Sequence, residues 1–216
     1  MTMQTLLINA HPDFANQDHF SNQLEEQFLT KYQQLFPNEQ PTVLNLYDSE
    51  IPRIEKGQLL DVWNKQRSGE KMTADEDHVA QVSNNLLTQF KAHHRIVIVS
   101  PLHNFNVTSR MKDYIDNILI AQQTFKYTET GSVGLMTDDY RVMLLQASGS
   151  IYTNNDRYTP LEFSHFYLKE MFVEMMGFDQ FNIVRAQGTS VRSPEEVWQS
   201  VPEELDQAIH DFYAKK

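Results

Sequence analysis

The sequence predicts an α/β fold, in which a parallel sheet of five strands carries helices on both of its faces. Short apolar runs alternate along the chain with longer segments whose apolar residues recur at helical spacing. The apolar runs are nearly continuous, which is typical of strands buried on both faces of a parallel sheet. Polar turns directly follow the first and third runs, and open α/β sheets bind their ligands at such strand ends. The pattern therefore predicts both a fold and the place of a ligand site.

The amino-terminal part contains two predicted strands with a helix between them. Residues 5–10 form the first apolar run. After a polar stretch, the helix carries an apolar stripe made of Phe20, Leu24, Phe28 and Tyr32. A loop bracketed by Pro37 and Pro41 leads to the second strand at residues 42–47.

The central part contains the longest polar segment and the third strand. Residues 55–94 predict two helices that are interrupted near Gly69. The third strand occupies residues 95–100, and a helix begins near Thr108. Residues 124–131 are expected to be extended and irregular.

The carboxy-terminal part completes the alternation. Residues 140–146 predict the fourth strand, and a turn of small residues follows at 147–150. The next helix ends at Gly177, and its apolar positions are Phe166, Leu168, Met171, Phe172 and Met175. Residues 181–184 predict the fifth strand, and residues 194–213 predict one last helix.

Strands that alternate with helices imply right-handed crossovers and a sheet covered on both faces. Five such strands predict a flavodoxin-like three-layer sandwich with strand order 2-1-3-4-5, whose ligand crevice lies between strands one and three. At 216 residues, the chain is expected to form a single domain over residues 1–216.

Composition excludes several classes of function. The net charge of −11 argues against a nucleic-acid partner, because binding to phosphates requires clustered Lys and Arg. The absence of cysteine removes thiol nucleophiles, disulfides, iron–sulfur clusters and Cys-based zinc sites. No apolar stretch approaches the length of a membrane span, and no secretory signal is visible, so we expect a cytoplasmic protein without a membrane partner. We also predict no metal site. His93 and His94 are adjacent, but neighbouring side chains on a helix point in different directions, and no carboxylate lies at ligand spacing from them.

The two loops at the predicted crevice carry the chemistry. After strand three, His103, Asn104 and Phe105 could offer a ring edge, a carboxamide and an aromatic wall to a flat heteroaromatic cofactor, although a solvent-exposed capped loop is the alternative. After strand one, a loop opens onto a helix amino terminus, which favours an anion. His11 or His19 could donate to a phosphate there, and a structural role for either is equally open. The alternative for the loop itself is plain helix capping by Asp18 or Ser21. This loop contains no glycine, so it matches neither the dinucleotide-binding fingerprint nor the phosphate loop of nucleotide hydrolases.

Four segments carry a resemblance to a known family. They are NAHPD at residues 9–13, RSGE at 67–70, PLHNFNVTSRMKDYIDNILIAQQTFKYTETGSVGLMTD at 101–138, and QASGSIY at 146–152. Through them the chain resembles the FMN-dependent NADH-azoreductases, also described as FMN-dependent NADH:quinone oxidoreductases. The resemblance covers most of the chain and is strongest over residues 95–152.

The resemblance implies bound FMN, NADH or NADPH as the hydride donor, and a quinone or azo compound as the acceptor. It implies that FMN is held by His11, His19, Phe20, Ser21, Pro101, Leu102, His103, Asn104, Phe105, Ala147, Ser148, Gly149 and Ser150. It also implies a homodimer with the FMN site at the interface, and a substrate pocket lined by Phe125, Tyr152 and Phe172. Asn104 would orient the flavin, and no residue is assigned as a catalytic acid or base.

The chain departs from the family pattern in two places. The phosphate loop is one residue longer and has lost the first serine of a Ser-x-Ser motif, which leaves Ser21. Ser148 and Ser150 replace the arginine and second glycine of the motif after strand four.

Two hypotheses compete with an FMN-dependent reductase. One is a flavodoxin-like electron carrier or flavin-binding regulatory module without enzymatic activity. The other is an interaction domain without a cofactor.

Overall fold

The computed structural model describes residues 4–214, and a five-stranded parallel sheet forms its centre. The strands are β1 (Thr5–Asn9), β2 (Thr42–Asn45), β3 (Arg95–Pro101), β4 (Phe125–Thr128), β5 (Gly131–Gly134), β6 (Arg141–Ser148) and β7 (Gln180–Gln187). The spatial order of the sheet is β2-β1-β3-β6-β7. This is the predicted order, since β4 and β5 form a separate antiparallel hairpin.

Helices cover both faces of the sheet. They are α1 (Phe20–Leu35), α2 (Leu59–Ser68), α3 (Ala74–Ala92), α4 (Ser109–Ile118), α5 (Phe163–Lys169), α6 (Pro194–Trp198) and α7 (Val201–Tyr213). A 3-10 turn at Thr159–Leu161 precedes α5, and a π-helical turn at Glu170–Met175 continues it. Within the described residues, no helix has the length and apolar character needed to cross a membrane.

Alternation along the strands produces two cores, one on each face of the sheet. In β1, Leu6 and Ile8 pack with apolar residues of α3, α4 and α5. Leu7 points to the other face, where it packs with α1, α6 and α7. Because all these residues are buried, the apolar runs of the sequence are explained by a sheet enclosed on both sides.

The segment predicted to be irregular is the hairpin of β4 and β5. Its β5 strand ends at Gly134, which lies against the backbone at the end of the π-helical turn. Met136 N–H also donates to the carbonyl oxygen of Met176 at 2.8 Å. The hairpin is therefore fixed by packing with residues about forty positions away, a contact that local periodicity does not reveal.

The predicted last helix is two helices. The prediction of one helix over residues 194–213 is wrong, because α6 ends at Trp198 and α7 begins at Val201. Pro202 lies in the first turn of α7, has no N–H, and would place its ring against the carbonyl of Trp198 in a continuous helix.

The turn predicted at residues 147–150 begins later than expected. Ala147 and Ser148 pair with β7 and are the last residues of β6.

Candidate functional site

The segment after β3 forms a tight turn at the carboxyl edge of the sheet. His103 N–H donates to the carbonyl of Asn106, and Asn106 N–H donates back to the carbonyl of His103, both at 3.0 Å. Between them, Asn104 and Phe105 adopt φ angles of 46° and 69°. Two consecutive residues other than glycine rarely adopt this left-handed conformation, and such residues concentrate at functional sites. The N–H groups of Asn104 and Phe105 have no hydrogen-bond partner within the described residues.

This turn is tied to the ends of both neighbouring strands. Leu102 N–H donates to the carbonyl of Ala147 at 2.7 Å, and Pro101 lies opposite Ala147 in the register of β3 and β6. On the other side, the Thr108 hydroxyl donates to the carbonyl of Ala10 at 3.1 Å. The turn is thus held between the end of β6 and the end of β1.

The loop between β1 and α1 is ordered by its own side chains. Asn9 Oδ1 accepts the N–H of His11 at 2.7 Å, and His11 Nδ1 accepts the N–H of Asp13 at 3.0 Å. The carboxamide of Asn22 donates to the carbonyl oxygens of Asp13 and Asn16 at 2.9 and 2.8 Å. These four contacts hold the loop over the first turn of α1.

Two imidazoles lie together above the start of α1. The ring centroids of His11 and His19 are 4.2 Å apart, and His19 Nε2 lies 3.0 Å from Asp13 Oδ2. Burial, and after it the charge of His19, lowers the pKa of His11. Hydrogen bonds from Asn16 and His19 lower the pKa of Asp13. At neutral pH this cluster therefore contains a neutral His11 and a carboxylate at Asp13.

The amino terminus of α1 has hydrogen-bond donors without acceptors. His19 is the N-cap residue, its side chain makes no capping bond, and the first turn contains no acidic residue. Gln23 N–H is the first to bond within the helix, so the N–H groups of Phe20, Ser21 and Asn22 have no acceptor in the described part of the chain. Ser21 is 1% exposed, and its hydroxyl also has no partner there. The alternative that Asp18 or Ser21 simply caps the helix does not hold.

The end of β6 forms the third side of the crevice. Ser148 Oγ donates to the carbonyl of Ser150 at 2.9 Å, and Gly188 N–H donates to the carbonyl of Ser148 at 2.9 Å. A Cβ atom on Gly149 would lie 2.8 Å from Ser190 Oγ. The close atom is the end of a rotatable side chain, so the neighbouring loop alone does not require glycine at position 149. The N–H groups of Gly149 and Ser150 have no acceptor within residues 4–214.

An aromatic contact connects this crevice to a cavity of about 600 Å³. The ring of Tyr152 is edge-on to Phe105 at 6.5 Å and to Tyr158 at 6.4 Å. The cavity is lined in part by Tyr152, Phe163 and Phe166, and the last two are 48% and 65% exposed. The helical pattern did not single out Phe163, and it placed Phe166 in the buried stripe of its helix. The sequence did contain a signal for this pair, because Phe163 and Phe166 are three residues apart and therefore lie on the same side of α5.

An ion pair lines the same cavity. Arg185 Nε and Nη2 each donate to one carboxylate oxygen of Glu162 at 3.0 Å, and both side chains are largely buried. His165 lies beside this pair, and its pKa is lowered by burial and then by Arg185. No sequence pattern indicates the pair, because Glu162 lies between the 3-10 turn and α5, whereas Arg185 lies in β7, 23 positions later.

Two of the residues expected to line a substrate pocket lie elsewhere. Phe172 is fully buried in the core, where its ring contacts Phe90 and Phe178, so it offers no surface to a substrate in this chain. The helical spacing of the sequence placed Phe172 in the apolar stripe of its helix, and the structure confirms that position, whereas the pocket position was implied only by the family resemblance. Phe125 is also buried at the start of β4, with its ring edge-on to Tyr127 at 5.3 Å.

The chain is similar to known proteins over nearly its whole length. A family model described as the flavodoxin-like fold matches residues 3–210. The chain is 57% identical over 211 residues to the FMN-dependent NADH:quinone oxidoreductase 1 of Lactiplantibacillus plantarum, covering 98% of this chain and 96% of that one. It is 52% identical to the FMN-dependent NADH:quinone oxidoreductase of Streptococcus agalactiae, covering 99% and 100% of the two chains. The crystal structure of an FMN-dependent NADH-azoreductase from Bacillus anthracis in complex with FMN superposes with a TM-score of 0.92 at 47% identity, covering 98% and 99%. The chain therefore belongs to the family of FMN-dependent NADH:quinone oxidoreductases, which have the flavodoxin-like fold.

Proposed function

We propose that this protein is an FMN-dependent oxidoreductase that uses NADH or NADPH to reduce quinones or azo compounds. The relatives described above carry such names. One structural observation carries the proposal for this chain: unpartnered donors at the start of α1, in the turn after β3 and at the end of β6 lie around one crevice. This crevice is at the switch point of the strand order, where doubly wound sheets bind their ligands.

The donor set at the start of α1 fits a phosphate group. Three N–H groups, the Ser21 hydroxyl and the helix dipole all favour an anion, and no acidic side chain of the first turn opposes it. His11 and His19 lie beside these donors. We assign the phosphate of FMN to this place, with Phe20 and Ser21 as the helix residues that bind it.

The turn after β3 fits the edge of a flat ring system with mixed donors and acceptors. The free N–H groups of Asn104 and Phe105 can donate, and the Asn104 carboxamide can both donate and accept. Leu102 and His103 use their N–H groups within the protein, so their part is to hold the turn and to contact the ring through carbonyls or side chains. Across the crevice, Gly149 and Ser150 offer two more N–H groups. All of these donors favour negative charge on the ligand between them.

Bound FMN would supply hydride transfer between a nicotinamide and an acceptor, a chemistry that no side chain of this protein provides. The protein contributes the orientation of the cofactor, through Asn104 and its turn, and fixed dipoles around it. No side chain is assigned as a proton donor.

The cavity beside Tyr152 is the proposed place for the aromatic part of a quinone or azo compound. It adjoins the turn after β3 through the contact of Tyr152 with Phe105. Phe163 and Phe166 offer it exposed phenyl rings. We further propose a homodimer in which a second subunit covers these rings, so that light scattering of the purified protein would give about twice the chain mass of 25.3 kDa. A cytoplasmic location is part of the proposal and is tested by cell fractionation.

The proposed function is tested by the visible absorption of the purified protein and its response to NADH. We expect a flavin spectrum, bleaching when NADH is added without oxygen, and recolouring by menadione or a model azo dye. A flavin that stays oxidised in excess NADH and NADPH would instead support the electron carrier. A protein that stays colourless after addition of FMN would support the interaction domain and contradict the proposal.

A further inference from the structure

The loop between β1 and α1 contains histidine where the family pattern has serine. Relative to the Ser-x-Ser motif, His19, Phe20 and Ser21 occupy the three positions, and His11 lies earlier in the same loop. We propose that His11 donates a hydrogen bond to the phosphate of FMN, and that His19 takes up one proton when this phosphate binds. The protein would then prefer FMN to riboflavin less strongly as the pH rises. This inference rests on the proposed function, because it concerns the cofactor of the same site.

The backbone of the loop fixes the tautomer of His11. Its Nδ1 accepts the N–H of Asp13 at 3.0 Å, so the ring proton is on Nε2. That Nε2–H has no acceptor within residues 4–214, although His11 is only 9% exposed. This nitrogen is not among the side-chain nitrogen and oxygen atoms of the described residues that are enclosed without a partner, so it remains accessible and can donate to a ligand. Because the His11 ring lies against the N-cap residue of α1, the acceptor it would meet is an anion bound at the start of this helix.

A second observation in the first turn of α1 points to the same ligand. Ser21 is 1% exposed, and its hydroxyl has no partner in the described part of the chain. Together with the N–H groups of Phe20, Ser21 and Asn22, it completes a set of donors that matches an acceptor with several oxygens. A phosphate group has this character.

The geometry assigns the proton to His19 and not to His11. Protonation of His11 would put a hydrogen on Nδ1, which faces the N–H of Asp13, and would break that bond. His19 has the opposite surroundings, because its Nε2 lies 3.0 Å from the Asp13 carboxylate and its Nδ1 has no partner in the described residues. Two imidazolium ions with ring centroids 4.2 Å apart would repel each other, so the pair carries at most one charge.

The surroundings of the pair contain few other charges. Asp13, in the same loop, is the carboxylate that acts on both imidazoles. Asp18 precedes His19 and is exposed. In the neighbouring elements, the neutral side chain of Asn9 accepts the N–H of His11, and the neutral side chain of Thr108 bonds to the carbonyl of Ala10. The carboxylate of Glu25 in α1 accepts a hydrogen bond from the Asn9 carboxamide.

The sign of the pH effect follows from linkage. A phosphate dianion favours the charged form of a neighbouring imidazole, so the bound state holds more protons than the free state. FMN should therefore bind most tightly at pH values where His19 can take up the proton, and the affinity for FMN should fall as the pH rises. For one proton, the loss is at most tenfold for each pH unit. Riboflavin has no phosphate and should show no such dependence.

The test is calorimetric binding of FMN and riboflavin to the full chain freed of flavin. At about pH 8 the phosphate of FMN is fully dianionic, because its second pKa is about 6, so any proton taken up must go to the protein. Titration in two buffers of different ionisation enthalpy gives the number of protons. We expect a clear fraction of one proton for FMN, none for riboflavin, and an FMN affinity that falls several-fold over the next pH unit.

Variants separate the two histidines. His19→Gln should abolish proton uptake and the pH dependence while riboflavin binds as before. His11→Phe should weaken FMN about tenfold and leave riboflavin unchanged. His78→Gln is the matched control, because His78 pairs with Glu50 on the exposed face of α3 and should change nothing.

The outcomes distinguish this inference from the proposed function. If both flavins bind and no proton is taken up, or if His19→Gln keeps the uptake, the inference is overturned and the proposed function stands. If neither flavin binds, both are overturned.

Discussion

Gly134 lies against the backbone of Met176, so closely that a Cβ atom at position 134 would come within 2.3 Å of the Met176 carbonyl carbon. This contact joins the hairpin of β4 and β5 to the end of the π-helical turn. Gly134→Ala should therefore force the two segments apart and lower the free energy of unfolding by about 2–3 kcal/mol, measured by denaturant titration. Gly131→Ala is the control on the same hairpin, since no atom lies within 4 Å of its Cβ position and only its φ of 145° opposes the change. Equal losses in the two variants would contradict the role of the contact.

The Arg185–Glu162 pair should stabilise the fold only as a pair. Arg185→Met leaves the Glu162 carboxylate buried without its guanidinium and should lower the free energy of unfolding by about 2–4 kcal/mol. Adding Glu162→Gln removes the carboxylate charge that has lost its partner, so the double variant should recover a large part of the lost free energy of unfolding. The check is a double-mutant cycle from denaturant titrations, and a double variant no more stable than Arg185→Met would refute this account of the pair.

Asn104 should contribute to FMN binding through its carboxamide. Asn104→Gly keeps a residue that accepts the φ of 46° and removes only the side chain, so FMN should bind about tenfold more weakly and reduction by NADH should slow. Fluorescence titration and stopped-flow absorbance measure the two effects. Gln122→Gly, at another residue with positive φ, is the matched control. Full flavin retention and unchanged reduction in Asn104→Gly would disprove the assignment.

Glu25 should destabilise the protein at neutral pH. Burial raises its pKa, and the hydrogen bond from Asn9 opposes this only in part. An acid whose pKa is raised by folding contributes stability at low pH, and that contribution is lost as the pH rises through the folded-state pKa. Glu25→Gln should therefore raise the free energy of unfolding by about 1 kcal/mol at pH 7, and the gain should disappear near pH 4. Thermal unfolding at both pH values measures this, with the exposed neighbour Glu26→Gln as control; a gain that persists in acid would argue against the titration of Glu25.

The sheet could be predicted from sequence because a strand buried on both faces leaves a short, continuous apolar run, which surface strands and amphipathic helices do not produce. The same holds for helices whose boundaries have strong local signals, such as the one predicted to begin near Thr108, which is its capping residue. The hairpin at Gly131 and Gly134 could not be predicted, because its conformation depends on packing against Met176. Pro202 marked the break between α6 and α7 in the sequence, because proline disrupts a helix that continues through it. The prediction of one helix followed the helical spacing of the apolar residues on both sides and did not use this signal.

For the site, sequence located the loops but not their internal bonds. The turn at Asn104 and the loop containing His11 and His19 end at the same edge of the sheet, as the topology requires. Helical spacing correctly placed Phe172 in the apolar stripe of its helix, whereas the family resemblance alone placed it in a substrate pocket. The ion pair at the cavity and the unpartnered Ser21 hydroxyl depend on three-dimensional proximity, which a single sequence does not contain.

The Thr108 side chain has two roles, since its oxygen accepts the N–H of Met111 as a helix cap and its hydroxyl donates to the carbonyl of Ala10. One hydroxyl group thus fastens the turn after β3, where we propose that the coenzyme's ring lies, to the loop after β1, where we propose that its charged tail lies. Neither half of the crevice is free to shift without the other. Over evolutionary time, a replacement in one of the two loops should therefore constrain which replacements the other can accept.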